Sequence, residues 1–161
     1  MVAPTLPANY TKQKRILSFK TDGASHILPF VQDGDYVRWL ASVLDINATN
    51  PGIAAVTATL ASVPTGVNVQ WLGNAVIQGD NPTSIYVSDL AANDEAPITR
   101  SAAPGVPGET VNFQNANTNN SSQVMVRTNT SAQVRYRLSV SDAGIIVGLV
   151  TLGWFDRRGR G

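Results

Sequence analysis

The clearest pattern in the chain is strict alternation near its C-terminal end. In "AQVRYRLSV" (132–140), Val134, Tyr136, Leu138 and Val140 fall on one side, and Gln133, Arg135, Arg137 and Ser139 on the other. A period of two marks a strand with one face in a core. "SDAG" (141–144) reads as a turn, and "IIVGLVTLGW" (145–154) is apolar on both faces. That run predicts a central strand, covered on both sides or lying at a subunit interface. "SQVMVRTNTS" predicts a strand leading into a turn. In "VNVQWLG" (67–73), Val67, Val69 and Trp71 share a face, and "VIQGDNPTSIYVSDL" continues the rhythm with "GDNP" as turn and Ile85 and Val87 facing one way.

Two segments are less decisive. "YVRWLASVLDI" (36–46) fits helical spacing through Val37, Leu40, Ala41 and Leu44, and alternation through Val37, Trp39, Ala41 and Val43. "DGDY" (33–36) before it is a turn signal, and the turn cluster "NATNPG" after it favours a strand. "GIAAVTATLASV" (52–63) is the most helix-like piece, with Asn50 as a cap and Pro51 in the first turn. Its valines and threonines are β-branched and stiff, which opposes a helix. "VPTG" (63–66) then reads as a hairpin turn. Short strands separated by turn chemistry predict an all-β fold: a single β-sandwich of jelly-roll-like type, residues 31–161. Residues 1–30 are expected to form an extended N-terminal arm, opened by Pro4 and Pro7 and carrying sparse anchors at Ile16, Leu17 and Phe19. The polar interval 91–122, rich in asparagine and proline, is expected to be surface loop.

Composition agrees with a strand-built protein. Charged residues make up 14% of the chain, against about a quarter in average proteins. Asparagine, threonine, serine, glycine and glutamine must cover the surface instead. Glu95 and Glu109 are the only glutamates, so a principal surface helix former is nearly missing. The net charge of +1 is far from that of a general nucleic-acid binder. The charge is unevenly placed, however: Lys12, Lys14, Arg15 and Lys20 load the first segment, and Arg157, Arg158 and Arg160 the last. Cysteine is absent, which excludes disulfides and thiolate chemistry. The first residues hold no apolar stretch of the secretory kind, and the longest apolar run is too short to span a bilayer as a helix. The expectation is a soluble chain made in the cytoplasm, without a membrane partner.

Candidate chemistry is sparse. His26 is the single histidine; alone it builds no ordinary zinc site, and no motif supplies the partners of a catalytic base. Glu95 and Glu109 both fall in the polar interval, a poor frame for a paired-carboxylate mechanism. Asp89, Asp94 and Glu95 gather in "SDLAANDE" without the spacing of a calcium loop. No phosphate-binding glycine motif occurs. "GWFDRRGRG" has the glycines and arginines of a single-strand-binding tract, but in one short copy at the end of an apolar strand. The Asn-x-Ser/Thr triplets at Asn9, Asn47, Asn119, Asn120 and Asn129 are expected by chance in so asparagine-rich a chain. No catalytic, cofactor or metal site is expected, and no nucleic-acid partner. Arg135 and Arg137, interleaved with apolar residues, suit either a solvated sheet face or an interface. Trp39, Trp71 and Trp154 are expected to be mostly core; an exposed one would suit stacking on a sugar.

The stretch "VRTNTSAQVRYRLSVSDAG", with the ending "TLGWFDRRGRG", resembles the C-terminal end of small all-β surface proteins of tailed-bacteriophage virions. Within that group the chain looks most like a capsid cement, or decoration, protein. The likeness covers roughly the last 40 residues by motif and the rest by composition, and it brings no catalytic residues. It implies a homotrimer on the outside of the head, bridging subunits of the major capsid protein. On that reading Lys12, Lys14, Arg15, Ile16, Phe19, Arg135, Arg137, Arg157, Arg158 and Arg160 are the partner-interface candidates. The alternative is a receptor-binding module of a tail or head fibre, recognising host surface glycan through 91–122 and an exposed tryptophan.

Overall fold

A computed structural model describes residues 7–9, 18–22, 24–79, 82–97, 110–113 and 118–157. The alternating segments become strands: β1 (Phe30–Asp33), β2 (Tyr36–Thr49), β3 (Val56–Thr59), β4 (Gln70–Gly79), β5 (Thr83–Ser88), β6 (Thr110–Phe113), β7 (Thr118–Arg127), β8 (Gln133–Leu138) and β9 (Ile146–Phe155). The described residues contain no helix. The strands form two antiparallel sheets, a five-stranded one in the order β1-β2-β9-β4-β7 and a four-stranded one in the order β3-β8-β5-β6. The fold is an all-β sandwich.

The pairing is nested. β2 pairs with β9, β3 with β8, β4 with β7 and β5 with β6. The chain therefore runs as one long double-stranded ribbon whose tip lies between β5 and β6. Two further pairings, β4 with β9 and β5 with β8, roll that ribbon into the two sheets. β9 lies in the middle of its sheet, as its apolar run predicts. β8 keeps the expected alternation: Val134, Tyr136 and Leu138 are buried, while Gln133, Arg135 and Arg137 stay partly exposed on the outer face.

The rolled path decides one segment that the pattern left open and corrects two expectations. The segment 52–63 forms no helix: it carries β3 at Val56–Thr59 and then turns, the Val63 amide donating to the Leu60 carbonyl at 3.1 Å. Asn50 has a positive φ of 41°, unlike the extended backbone of a helix cap, and its side chain accepts from Ser141 and Asp142 instead. "VPTG" turns the chain but makes no hairpin, because β3 and β4 belong to different sheets. The polar interval 91–122 is not all loop: β6 and the first half of β7 fall inside it. Asparagine and serine disguise these strands, since polar residues suit a sheet that is partly solvated. "DGDY", by contrast, is a tight β1–β2 hairpin with Gly34 at φ 58°.

Between the sheets lie Leu60, Trp71, Ile77, Ile85, Leu138, Ile145, Leu149 and Trp154, all fully buried. Each large apolar side chain removed from water contributes roughly 1.5–3 kcal/mol. Trp39 packs edge-on against Trp154 at 5.1 Å, and Phe30 against Trp39 at 6.4 Å. The indole of Trp71 lies over Gly73, where a Cβ would collide with the ring.

A polar network crosses this core. β2 carries a register irregularity between Leu44 and Ile46, which inserts Asp45 as an extra residue. The Asp45 carboxylate accepts from the Thr151 hydroxyl at 2.5 Å, the Ser62 hydroxyl at 2.5 Å and the Ser62 amide at 2.9 Å. Thr151 in turn accepts from the Trp71 indole N–H at 2.7 Å. Thr151 and Ser62 are buried, so losing the carboxylate strands their donors. Asp45→Ala should destabilise the fold by about 2–4 kcal/mol, read as a lower urea midpoint. An unchanged midpoint would mean that apolar packing alone holds the bulge.

Candidate functional site

Among the described residues, three clusters of polar or charged side chains lie at a cleft or beside the sequence-derived interface candidates. The first is where the chain enters and leaves. Ser18 is buried and donates its hydroxyl to Asp156 at 2.5 Å, across 138 residues of sequence. The Asp156 amide donates to the carbonyl of Asp35, in the β1–β2 turn, at 2.8 Å. Asp156 directly follows β9, so the end of the central strand is fastened to both the turn and the entering segment. Phe19 and Arg157, immediately beside the two bonded residues, are exposed.

The second is a cleft of about 500 Å³ between the segment after Ser18 and the inward bulge of β2. Lys20, Thr21, Asp22 and Leu28 form one wall, and Val43, Leu44, Asp45, Ala61 and Ser62 the other. Asp22 folds its own wall: its carboxylate accepts from the amides of His26 and Ala24 at 2.9 and 2.8 Å. The His26 amide, first, and then that of Ala24 hold this carboxylate below its ordinary titration range. His26 turns its Nδ1 to Asp22 at 3.2 Å, and the Ser62 hydroxyl donates to Asp45, so the described groups of the cleft offer hydrogen bonding and charge. Among the described residues no three histidine or carboxylate side chains converge to hold a metal ion.

The third holds Arg135 and Arg137. Their outward positions on β8 lie beside Ser88 and Tyr86 of β5. Arg135 donates to the carbonyls of Ala92 and Asn93 at 2.8 Å each, and from Nε to Ser88 at 3.2 Å. Arg137 pairs with Asp94 at 3.0 Å. The rigid guanidinium fork suits this clasp of several carbonyls and one carboxylate. The two arginines tie residues 89–94, which begin the tip of the rolled ribbon, onto the second sheet. Tyr86 and Ser88 are buried on that same face.

Of the sequence-derived interface candidates, Phe19 and Arg157 flank the Ser18–Asp156 bond, while Arg135 and Arg137 are engaged within the chain. Lys12, Lys14, Arg15, Ile16, Arg158 and Arg160 lie outside the described residues. Trp39, Trp71 and Trp154 are all buried, so none of them offers the sugar-stacking surface considered for a glycan binder. Asp45 and Ser62 carried no signal of their own in the sequence; only a charged residue inside an apolar strand segment, "SVLDI", hinted at Asp45. No family model matches this chain, and no curated protein matches it. No described helix is long and apolar enough to cross a membrane.

Two outcomes follow from this geometry. Asp94 is 40% exposed in its side chain, so Asp94→Ala should lower global stability by no more than about 1 kcal/mol. It should nevertheless speed amide exchange and limited proteolysis across 89–97; unchanged rates would show that the arginine–carbonyl bonds suffice. Because the Asp22 pKa is lowered, its turn should persist as pH falls through the usual carboxylate range and loosen only below it. An NMR titration of the Ala24 and His26 amides reads this directly, and an inflection at or above the ordinary aspartate value would contradict it.

Proposed function

We propose that this chain is a non-enzymatic structural protein of a tailed-phage virion: a decoration protein that binds the outer head surface and bridges subunits of the major capsid protein. The observation that carries the reading is the buried Ser18–Asp156 bond. It makes the chain enter and leave the sandwich at one point. The two basic segments, with Lys12, Lys14 and Arg15 before it and Arg157, Arg158 and Arg160 after it, start from that point. Both basic stretches of the sequence therefore join the sandwich beside that bond, and on this reading they would supply the contacts to an acidic partner. Each single contact is weak, and several copies on one shell would add by avidity. The trimer implied by the resemblance belongs to the same proposal.

The strand order supports this by analogy of fold. We read the nested, rolled ribbon as a jelly roll, an architecture that recurs in viral capsid and lectin domains. The lectin analogy and the cleft lined by Lys20, Asp22, Asp45 and Ser62 favour a second reading: a fibre module that binds host glycan. Hydroxyl groups of a sugar match such a mixture of donors and acceptors.

The test is binding of the purified protein to heads that lack it, from the phage whose genome encodes the chain. Saturable head binding is expected. Arg157→Glu with Arg158→Glu should weaken it by roughly tenfold at low salt, and by less as salt rises. Removing residues 1–17 should weaken it as well. Binding to host cells or isolated surface glycan, with none to heads, would replace this reading with the second one.

A further inference from the structure

The clasp on β8 is unevenly built. Arg135 and Arg137 share the carboxylate of Asp94, which lies 3.0 Å from Arg137 Nη1 and 3.7 Å from Arg135 Nε. The arginine side chains are 13% and 19% exposed, that of Asp94 40%. The two cations therefore belong to a strand flanked by β3 and β5, and their shared counter-charge to a surface loop. Arg135 has further partners: its Nη2 donates to the carbonyls of Ala92 and Asn93, and its Nε to Ser88. Arg137 Nε, in contrast, is buried and has no hydrogen-bond partner. A buried donor left unpaired on a charged group is costly, so Asp94 fills this place incompletely.

We infer that Arg137, flanked by Arg135, is a carboxylate-binding site that Asp94 closes from within and that an acidic segment of a protein partner takes over. The occupant in place defines the ligand class. An ion pair with so exposed a member is weak. Arg135 holds the loop by the Ala92 and Asn93 carbonyls, so the Asp94 side chain can turn into water while its backbone stays. Among the described residues Asp94 supplies the one carboxylate paired with Arg137. A guanidinium so largely withdrawn from water then needs another anion. The pairing of β8 on both sides keeps the arginine in place for it. A guanidinium binds a carboxylate best through two parallel N–H bonds. Asp94 reaches Arg137 through Nη1 and leaves Nε unused. An incoming carboxylate that engages Nε as well gains a bond that Asp94 does not make. The source of that carboxylate rests on the proposed docking to an acidic partner; the exchange itself does not.

The test therefore contains no heads. It uses the purified chain and, as probe, a short capped polyglutamate peptide. Proton–nitrogen NMR follows the Nε–H signals of Arg135 and Arg137, assigned with Arg135→Lys and Arg137→Lys. The peptide should move the Arg137 signal, and a polyglutamine peptide of the same length should leave it still. Asp94→Asn removes the internal competitor and should tighten the peptide, read at that signal, by about fivefold, the weight of an exposed ion pair. Equal affinity of the two forms, or an Arg137 signal that polyglutamate does not move, would overturn the inference. Should Asp94→Asn not fold, the wild-type titration against the two peptides decides alone.

Discussion

One carboxylate holds much of this sandwich in place. Asp45 sits on β2, yet it binds Ser62 in the connection ahead of β4 and Thr151 on β9, and through Thr151 it reaches Trp71 on β4. An aspartate in an apolar strand would ordinarily face water and turn its neighbours with it. The bulge removes that conflict: the added residue lets both Asp45 and Ile46 turn toward the core side while Leu44 stays on the outer face. Three buried donors then find an acceptor, and the largest fully buried ring finds one through them. The register of the central strands follows from satisfying these groups, because a slip by one residue would strand them all.

The same register leaves Leu44, Met125 and Ile146 exposed on the outside of the larger sheet, and the end of β9 comes to lie beside Ser18. A chain with so few charges has little means of covering a sheet with lysine and glutamate; amides and hydroxyls do that work instead, and seven of the twelve lysines and arginines stand near the two ends of the sequence.

Nested pairing has a kinetic consequence. Thr151 and Asp45 are 106 residues apart in sequence, and Ser18 and Asp156 are 138 apart. Loop closure over such distances precedes any gain from the contacts, so folds of this type form slowly compared with helical ones. The Arg135 and Arg137 clasp lies near the ribbon tip, where the sequence separation is only about 45 residues at its contacts with Asp89, Ala92 and Asn93.

Much of this was legible along the chain. The alternation of β8, the doubly apolar run of β9, the "DGDY" hairpin and the shortage of helix formers together determined an all-β sandwich, because side-chain period and turn residues are local properties. The sheet to which each strand belongs was not legible: "VPTG" has the residues of a hairpin turn, yet it carries the chain from one sheet to the other. Periodicity reports that a strand has two faces and does not name its neighbours. Nor did it separate the inner apolar face of β9 from its outer one, since Leu149 and Val150 look alike in sequence while one is core and the other is half-buried on the outer face. The inward turn of Asp45, the clasp of Arg135 and Arg137 and the meeting of Ser18 with Asp156 were decided by tertiary structure alone. Each joins groups far apart in the chain, and only the rolled ribbon, with its buried donors needing partners, brings them within bonding distance.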